Sequence, residues 1–231
     1  MSPDYDSFAS VYDIWASDMT EDVPYYVELA RAAPEGPIVE LAVGNGRVAV
    51  PVALESGRRV IGIDITPAML AQARVRAEQT GADLDLREAD MREFELDAPA
   101  SLVYCPFRSL LHLPTWHDKR RVFERVAANL APGGRFAWNA FCFQHAIATR
   151  LDGTKQEEPV PHTIHHAPGD NRVDIELAAG GAISLWWVTK SEWEGLIDVA
   201  GLEVEALYGW FDRRPFDDQS PEFVWVTRKP A

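Results

Sequence analysis

Cysteine is nearly absent: Cys105 and Cys142 are the only two in 231 residues. Neither belongs to a CxxC pair or to a set with zinc-ligand spacing, so neither a disulfide framework nor a metal site is expected. Both lie in or beside apolar, strand-like runs and read as reduced, buried thiols. Basic residues are also scarce. Lys and Arg number 22 against 36 Asp and Glu, a formal charge of −14. Nucleic-acid affinity comes largely from cations that neutralise phosphates, so a nucleic-acid partner is disfavoured. The basic cluster Lys119, Arg120, Arg121 is expected on the solvated face of a helix. Apolar runs such as VAVPVAL are far shorter than the roughly 20 residues that cross a bilayer, so no membrane partner is expected. The start, MSPDYDSFAS, is acidic and shows no basic segment followed by an apolar one; the expectation is a cytoplasmic protein without a signal peptide. Internal repeats and low-complexity tracts are missing as well.

What is present suits one domain over residues 1–231, with 47% hydrophobic and 25% charged residues. Between residues 37 and 141 short apolar runs (GPIVELA, RRVIGIDI, SLVYC, RFAWNAF) alternate with helical patterns. TPAMLAQARVRAEQTG, for example, offers Thr66 as a cap, Pro67 in the first turn and Gly81 as a stop. Such alternation implies a parallel sheet wound by helices on both faces, whose ligands bind at the carboxyl ends of the strands. The pattern changes at residue 142. Residues 142–171 read as irregular, and RVDIELAAGGAISLWWV reads as a β-hairpin turning at Gly180-Gly181. Residues 142–188 therefore read as an insertion, or cap, after the fifth strand. A capping box, Thr189 with Glu192, opens the last helix, and LEVEALYGWF and PEFVWVTR close the chain as strands.

The segment VELAVGNGRVAV, residues 39–50, is shaped for close approach of a ligand to backbone N–H groups. Gly44 and Gly46 lack a Cβ; Ala42 stands where a third glycine would be expected. Two acids frame the loop: Glu40 inside the end of the first strand, and Asp64 at the end of the second, about twenty residues on, where an acid binds ribose hydroxyls. GNGRVA fits a dinucleotide loop, and the rival cofactor is S-adenosylmethionine. Glu40 favours the rival, because a pyrophosphate is repelled by a neighbouring carboxylate while a sulfonium and an ammonium group gain from one.

From about residue 8 to 141, and again near the C-terminus, the chain resembles the class I S-adenosylmethionine-dependent methyltransferases of small-molecule type. VELAVGNGR resembles their glycine-rich motif, with Ala42 in place of the first glycine. VIGIDITPAML, READMREF, LVYCPFRSLLHL and LAPGGRFAWNAF resemble the motifs that follow, in the same order. The resemblance implies an α/β, Rossmann-like, doubly wound sheet of seven strands with the last antiparallel, PEFVWVTR being that strand. It carries Glu40, Ala42, Gly44, Gly46 and Arg47 into the cofactor site. It also implies that Asp64 binds the ribose, Ile65 and Met69 pack near the adenine, Asp90 accepts from its amino group beside Met91, and Pro106 and Phe107 follow the fourth strand at the site. The aromatic segment SFASVYDIW would fold over the cofactor, with Tyr12 closing on it and Trp15 towards the acceptor.

On the acceptor side, His112 lies just beyond the fourth strand, where a neutral imidazole can contact the acceptor or take its proton; His145, after the fifth strand, is a second base of similar placement. Trp186 and Trp210 are expected to line the acceptor pocket. The tract HTIHH invites a metal reading, but strand alternation sends His162 and His166 to one face and His165 to the other, with no further ligand at zinc-like spacing. Cys105-Pro106-Phe107 lacks the polar residue and second proline of nucleic-acid amino-methyltransferases. The expected activity is methyl transfer to N or O of a small molecule, driven by proximity and orientation. The alternatives are an NAD-dependent oxidoreductase and a non-catalytic S-adenosylmethionine-binding protein. Val173, Ile175 and Leu177 share a hairpin face that must pack on something, either the acceptor pocket or a second subunit in a homodimer.

Overall fold

The computed structural model describes residues 12–16 and 19–231. The first five residues of the aromatic segment 7–15 lie outside the described residues. Helix α1 (Tyr12–Trp15) and helix α2 (Asp22–Ala32) precede the first unit, β1 (Ile38–Leu41), α3 (Ala49–Ser56), β2 (Val60–Asp64), α4 (Pro67–Thr80) and β3 (Leu84–Glu88). Strand β4 (Ala100–Cys105), a 3₁₀ turn (Ser109–His112), α5 (Trp116–Asn129) and β5 (Leu130–Phe141) follow. Next come α6 (His145–Leu151), β6 (Lys155–Gln156), β7 (His162–Ala167), β8 (Arg172–Leu177) and β9 (Ala182–Trp186), and the chain closes with α7 (Lys190–Val199), β10 (Glu203–Tyr208) and β11 (Glu222–Arg228).

The main sheet has seven strands in the order β10-β11-β5-β4-β1-β2-β3. β3, β2, β1, β4 and β5 run parallel, while β11 is antiparallel to both β5 and β10. The doubly wound parallel sheet is as the alternation of elements predicts, and the antiparallel final strand is as the family resemblance implies. Alternation along each strand feeds two cores. Val39 and Leu41 of β1 and Val103 of β4 join Phe123, Trp138, Trp193 and Trp225 on the face covered by α5 and α7. Ile38, Leu102 and Tyr104 join Tyr26, Val27, Val52 and Leu70 on the face covered by α2, α3 and α4. A parallel sheet covered on both sides needs apolar residues at nearly every position, and all six residues of β4 are buried. Thr189 and Glu192 form the expected capping box at α7. Gly57 and Gly81 end α3 and α4 in the left-handed conformation.

Two expectations are corrected here. Residues 142–171 are not irregular: they contain α6, and β7 pairs with β8 from His162↔Leu177 to Ala167↔Arg172. The hairpin of β8 and β9 is consequently half of a four-stranded antiparallel sheet, β6-β7-β8-β9. Backbone pairing, which is blind to the polarity of three histidines, builds β7. The second correction concerns the basic cluster. Arg120 and Arg121 face solvent and pair with Glu124 and Glu93, but Lys119 is buried and donates to the carbonyl of Leu113, which ends the preceding 3₁₀ turn.

Candidate active site

The strand order reverses between β1 and β4, and the carboxyl ends of these strands form the crevice that such sheets offer to ligands. The chain leaves β1 through Ala42 (φ 54°), Gly44 (φ 53°) and Gly46 (φ 79°), three residues in the left-handed region. Asp64, at the end of β2, ties this loop down. One carboxylate oxygen accepts from the Gly44 N–H at 2.8 Å and the other from the Thr66 N–H at 2.8 Å. Burial raises the Asp64 carboxyl above its ordinary value, against those N–H groups, which lower it. Sequence spacing alone brought Gly44 and Asp64 to one site, and the structure joins them directly.

Glu40 is buried on the neighbouring strand, and its Oε2 has no hydrogen-bond partner among the described residues. The Tyr104 hydroxyl lies beside it without closing a normal hydrogen bond. Burial pushes the Glu40 carboxyl up to about 8, against Tyr104 and the Arg47 charge, which pull it down. An acid so placed is short of a cation.

Arg47 is held by acceptors of the protein itself. Its guanidinium grips both oxygens of buried Asp22, at 2.9 and 2.5 Å, and donates to the Met19 carbonyl at 2.8 Å. It also stands 4.8 Å over the Phe107 ring, which meets Tyr12 edge-on at 5.7 Å. Tyr12, Gly44, Arg47 and Phe107 thus form one wall: a Cβ built on Gly44 would lie 4.0 Å from the Tyr12 hydroxyl. Beyond β2, Met69 is buried under the start of α4 and Ile65 is exposed at the sheet edge. Asp90 and partly buried Met91 follow β3. Burial would raise the Asp90 carboxyl, but the Arg92 guanidinium and N–H outweigh it and hold it below its ordinary value. Arg92 bridges Asp90 to Asp118 at 2.6 and 2.7 Å.

On the other side of the crevice, buried Pro106 leads into Phe107 (φ 56°) and Arg108 (φ 64°). His112, half-buried in the 3₁₀ turn, is pushed down to about 4 by burial and by Lys119, so its imidazole is neutral at pH 7. Strand β9, which ends in half-buried Trp186, packs against this turn. Past β5, Phe143 stacks on Trp187 at 4.5 Å, with the rings of His145 and His166 at 4.9 and 5.2 Å from Phe143. Trp15 meets His162 edge-on at 4.9 Å, and with Tyr12 it covers Ile175, Leu177 and Ile183. The apolar hairpin face therefore finds its cover within the chain. Trp210, half-buried, meets Phe211 edge-on at 5.2 Å and packs against the core that includes Tyr25 and Tyr26. His165 stands 3.6 Å from Glu176, on the opposite face from His162 and His166.

Sequence reasoning missed four residues. Asp22 is buried although it occupies the first turn of a helix, where an acid reads as a helix-dipole partner. Arg108, just after β4, joins buried Asn139 of β5 and buried Glu222 of β11 in one polar group. Its one sequence signal is an acid and an amide inside strands that are otherwise apolar.

Residues 38–134 match the family model of a methyltransferase domain. The chain is 33% identical over 138 residues to YqeM of Bacillus subtilis, covering 56% of this chain and 52% of that protein's length. It is 26% identical to the dTDP-3-amino-3,4,6-trideoxy-α-D-glucopyranose N,N-dimethyltransferase of Streptomyces venezuelae, covering 87% of this chain and 92% of the relative. Its fold matches the crystal structure of an S-adenosylmethionine-dependent methyltransferase from Clostridium acetobutylicum with a TM-score of 0.83, covering 98% and 99% of the two chains at 14% identity. The architecture is Rossmann-like, with a glycine loop set between two acids at the switch point. Residues 38–134 are thus similar to a methyltransferase domain, and the whole chain shares the fold of S-adenosylmethionine-dependent methyltransferases.

Proposed function

We propose that the protein transfers a methyl group from S-adenosylmethionine to a nitrogen or oxygen nucleophile of a small molecule, by in-line displacement. The observation that carries this reading is Glu40, buried at the switch point with an oxygen that has no partner among the described residues, beneath a loop whose Gly44 N–H is fixed by Asp64. That donor set fits the cofactor: Glu40 would face its cationic methionine end, Asp64 its ribose, and Ile65, Met69, Asp90 and Met91 its adenine. When bound, the cofactor supplies a methyl group activated by the sulfonium. The chain's own residues then have to position the nucleophile and exclude water, which suits a site walled by Tyr12 and Phe107. Held neutral by its low proton affinity, His112 serves better as a hydrogen-bond partner of the acceptor than as a base. The amino-sugar acceptor in the name of the Streptomyces venezuelae relative supports nitrogen as the nucleophile and a small polar molecule as its carrier.

In this reading residues 142–188 are a cap within a single domain. Trp15, Trp186, His145 and their aromatic neighbours face the acceptor, and the partner is a small molecule in the cytoplasm, with neither nucleic acid nor membrane involved. Calorimetry with S-adenosylhomocysteine, followed by an acceptor screen read by product mass, tests it. Absence of binding would sink the cofactor assignment, and binding without turnover over a broad amine and hydroxyl panel would favour a non-catalytic binding protein.

A further inference from the structure

Two successive non-glycine residues, Phe107 and Arg108, adopt the left-handed conformation directly after β4. Such strain persists only where the surroundings over-determine it. The turn sends neighbouring side chains to opposite halves of the site. Phe107 joins Tyr12 and Arg47 on the cofactor side, while Arg108 lies 5.5 Å over the ring of Phe141, at the end of β5. There Arg108 meets Glu222, the first residue of antiparallel β11, which the sheet places beside Phe141. Nε donates to Oε1 at 2.7 Å, and a terminal nitrogen donates to the same oxygen. Glu222 is fully buried; its second oxygen accepts from Asn139 at 3.2 Å, and Asn139 in turn accepts from the Tyr26 hydroxyl at 3.2 Å. Neighbouring strands and α2 thus fix this carboxylate in place.

Arg108 differs from the other two arginines of the crevice. Arg47 uses its fork on both oxygens of Asp22 and on a carbonyl, and its side chain is 14% exposed. Arg92 bridges two acids. Arg108 touches one oxygen of one acid, finds no other protein acceptor among the described residues, and keeps a side chain 36% exposed. Guanidinium N–H groups in a rigid fork match phosphate and carboxylate oxygens. In a chain with a formal charge of −14, a local cation is what an anionic small molecule requires.

We propose that Arg108 is a specificity-determining residue that reads an anionic group, phosphate or carboxylate, on the acceptor, and that Glu222 is the residue that positions it. The proposal rests on the methyl-transfer reading and is tested apart from it. Protein saturated with S-adenosylhomocysteine is titrated by calorimetry with two probes, dTDP for a phosphate and citrate for a carboxylate. The wild type is compared with Arg108→Gln, Arg108→Lys and Glu222→Gln, with thermal unfolding run in parallel. The expected result is that one probe binds the wild type, identifying the source of the anion. Its affinity falls at least tenfold in Arg108→Gln and at least threefold in Arg108→Lys, which keeps the charge but loses the fork. Glu222→Gln also weakens the probe, while S-adenosylhomocysteine affinity stays within twofold throughout. Should Arg108→Gln not fold, the lysine variant carries the test. Binding of neither probe to the wild type, or probe affinities unchanged in the Arg108 variants, overturns the proposal. Failure of the wild type to bind S-adenosylhomocysteine overturns the underlying reading instead.

Discussion

At the ends of β1 and β2, polar groups are locked one against another: Asp64 holds the N–H groups of Gly44 and Thr66, and Asp22 holds both arms of Arg47. Beyond β5 the wall is made of rings instead, with Phe143 stacked on Trp187 and edged by His145. The first region hangs on strand ends buried on both faces, where a shift of one residue would break the sheet. The second rides on an added four-stranded sheet that contacts the main domain through side chains. Rings repack at modest cost, whereas a buried carboxylate stripped of its partner does not. Under the proposed function, this difference would let one scaffold keep its cofactor chemistry while its acceptor wall changes.

The largest expected effect tests the locked side. Arg47→Ala leaves Asp22 buried without its cation and should destabilise the protein by about 3–5 kcal/mol. Urea unfolding measures it; a loss below about 1 kcal/mol would mean that Asp22 is relieved by another group. Glu40 comes next. Its carboxyl is raised from 4.5 to about 8 by burial, so over that range the native state holds a proton that the unfolded chain has released. Its contribution to stability is full below about 4.5 and is lost as pH rises through about 8. Glu40→Gln should remove this slope, so that variant and wild type diverge in the variant's favour towards alkaline pH. Parallel pH profiles from thermal unfolding would contradict the burial argument.

Asp64→Ala strands the Gly44 and Thr66 N–H groups and removes the carboxylate proposed to hold the ribose. S-adenosylhomocysteine affinity should fall by about 1–3 kcal/mol, and calorimetry showing no change would remove Asp64 from the cofactor site. On the ring-built side the effects should be smaller. With His112 pushed down to about 4, His112→Ala should lower turnover less than tenfold and act mainly on the acceptor KM. A hundredfold fall in kcat would restore His112 as a general base.

How much of this was legible in the sequence follows the same division. β1, β2 and β4 announce themselves because both faces are buried, and α7 does so through Thr189 and Glu192. The pairing of Gly44 with Asp64 was legible because glycine loop and acid sit at a spacing that the βαβ unit imposes. Helix α6 was not: its seven residues carry no side-chain cap bond and are too few to show a period. The histidine tract of β7 reads as a strand, but nothing local shows that it pairs with β8 and extends the hairpin into a sheet. Arg108 and Glu222 stand 114 positions apart, and nothing local to either residue signals that the antiparallel turn of β11 brings them together.

The smallest effect falls on the alanine that stands in the glycine loop. Ala42 holds φ 54°, a conformation that costs an L-residue roughly 1–2 kcal/mol. Replacing it by glycine removes that strain but loosens the unfolded chain, which takes back about 0.4–1 kcal/mol. Ala42→Gly should therefore leave stability unchanged or raise it by about 1 kcal/mol. Ala53, buried in the middle of α3, provides the control: the same substitution there has no left-handed strain to relieve and should cost about 1 kcal/mol. Opposite signs at the two positions would establish that the loop is held in a glycine's conformation by its surroundings, the Asp64–Gly44 bond foremost. Equal losses would mean that the Ala42 methyl group contributes packing worth as much as the strain, and the loop would then owe its shape to contacts made by Ala42 itself.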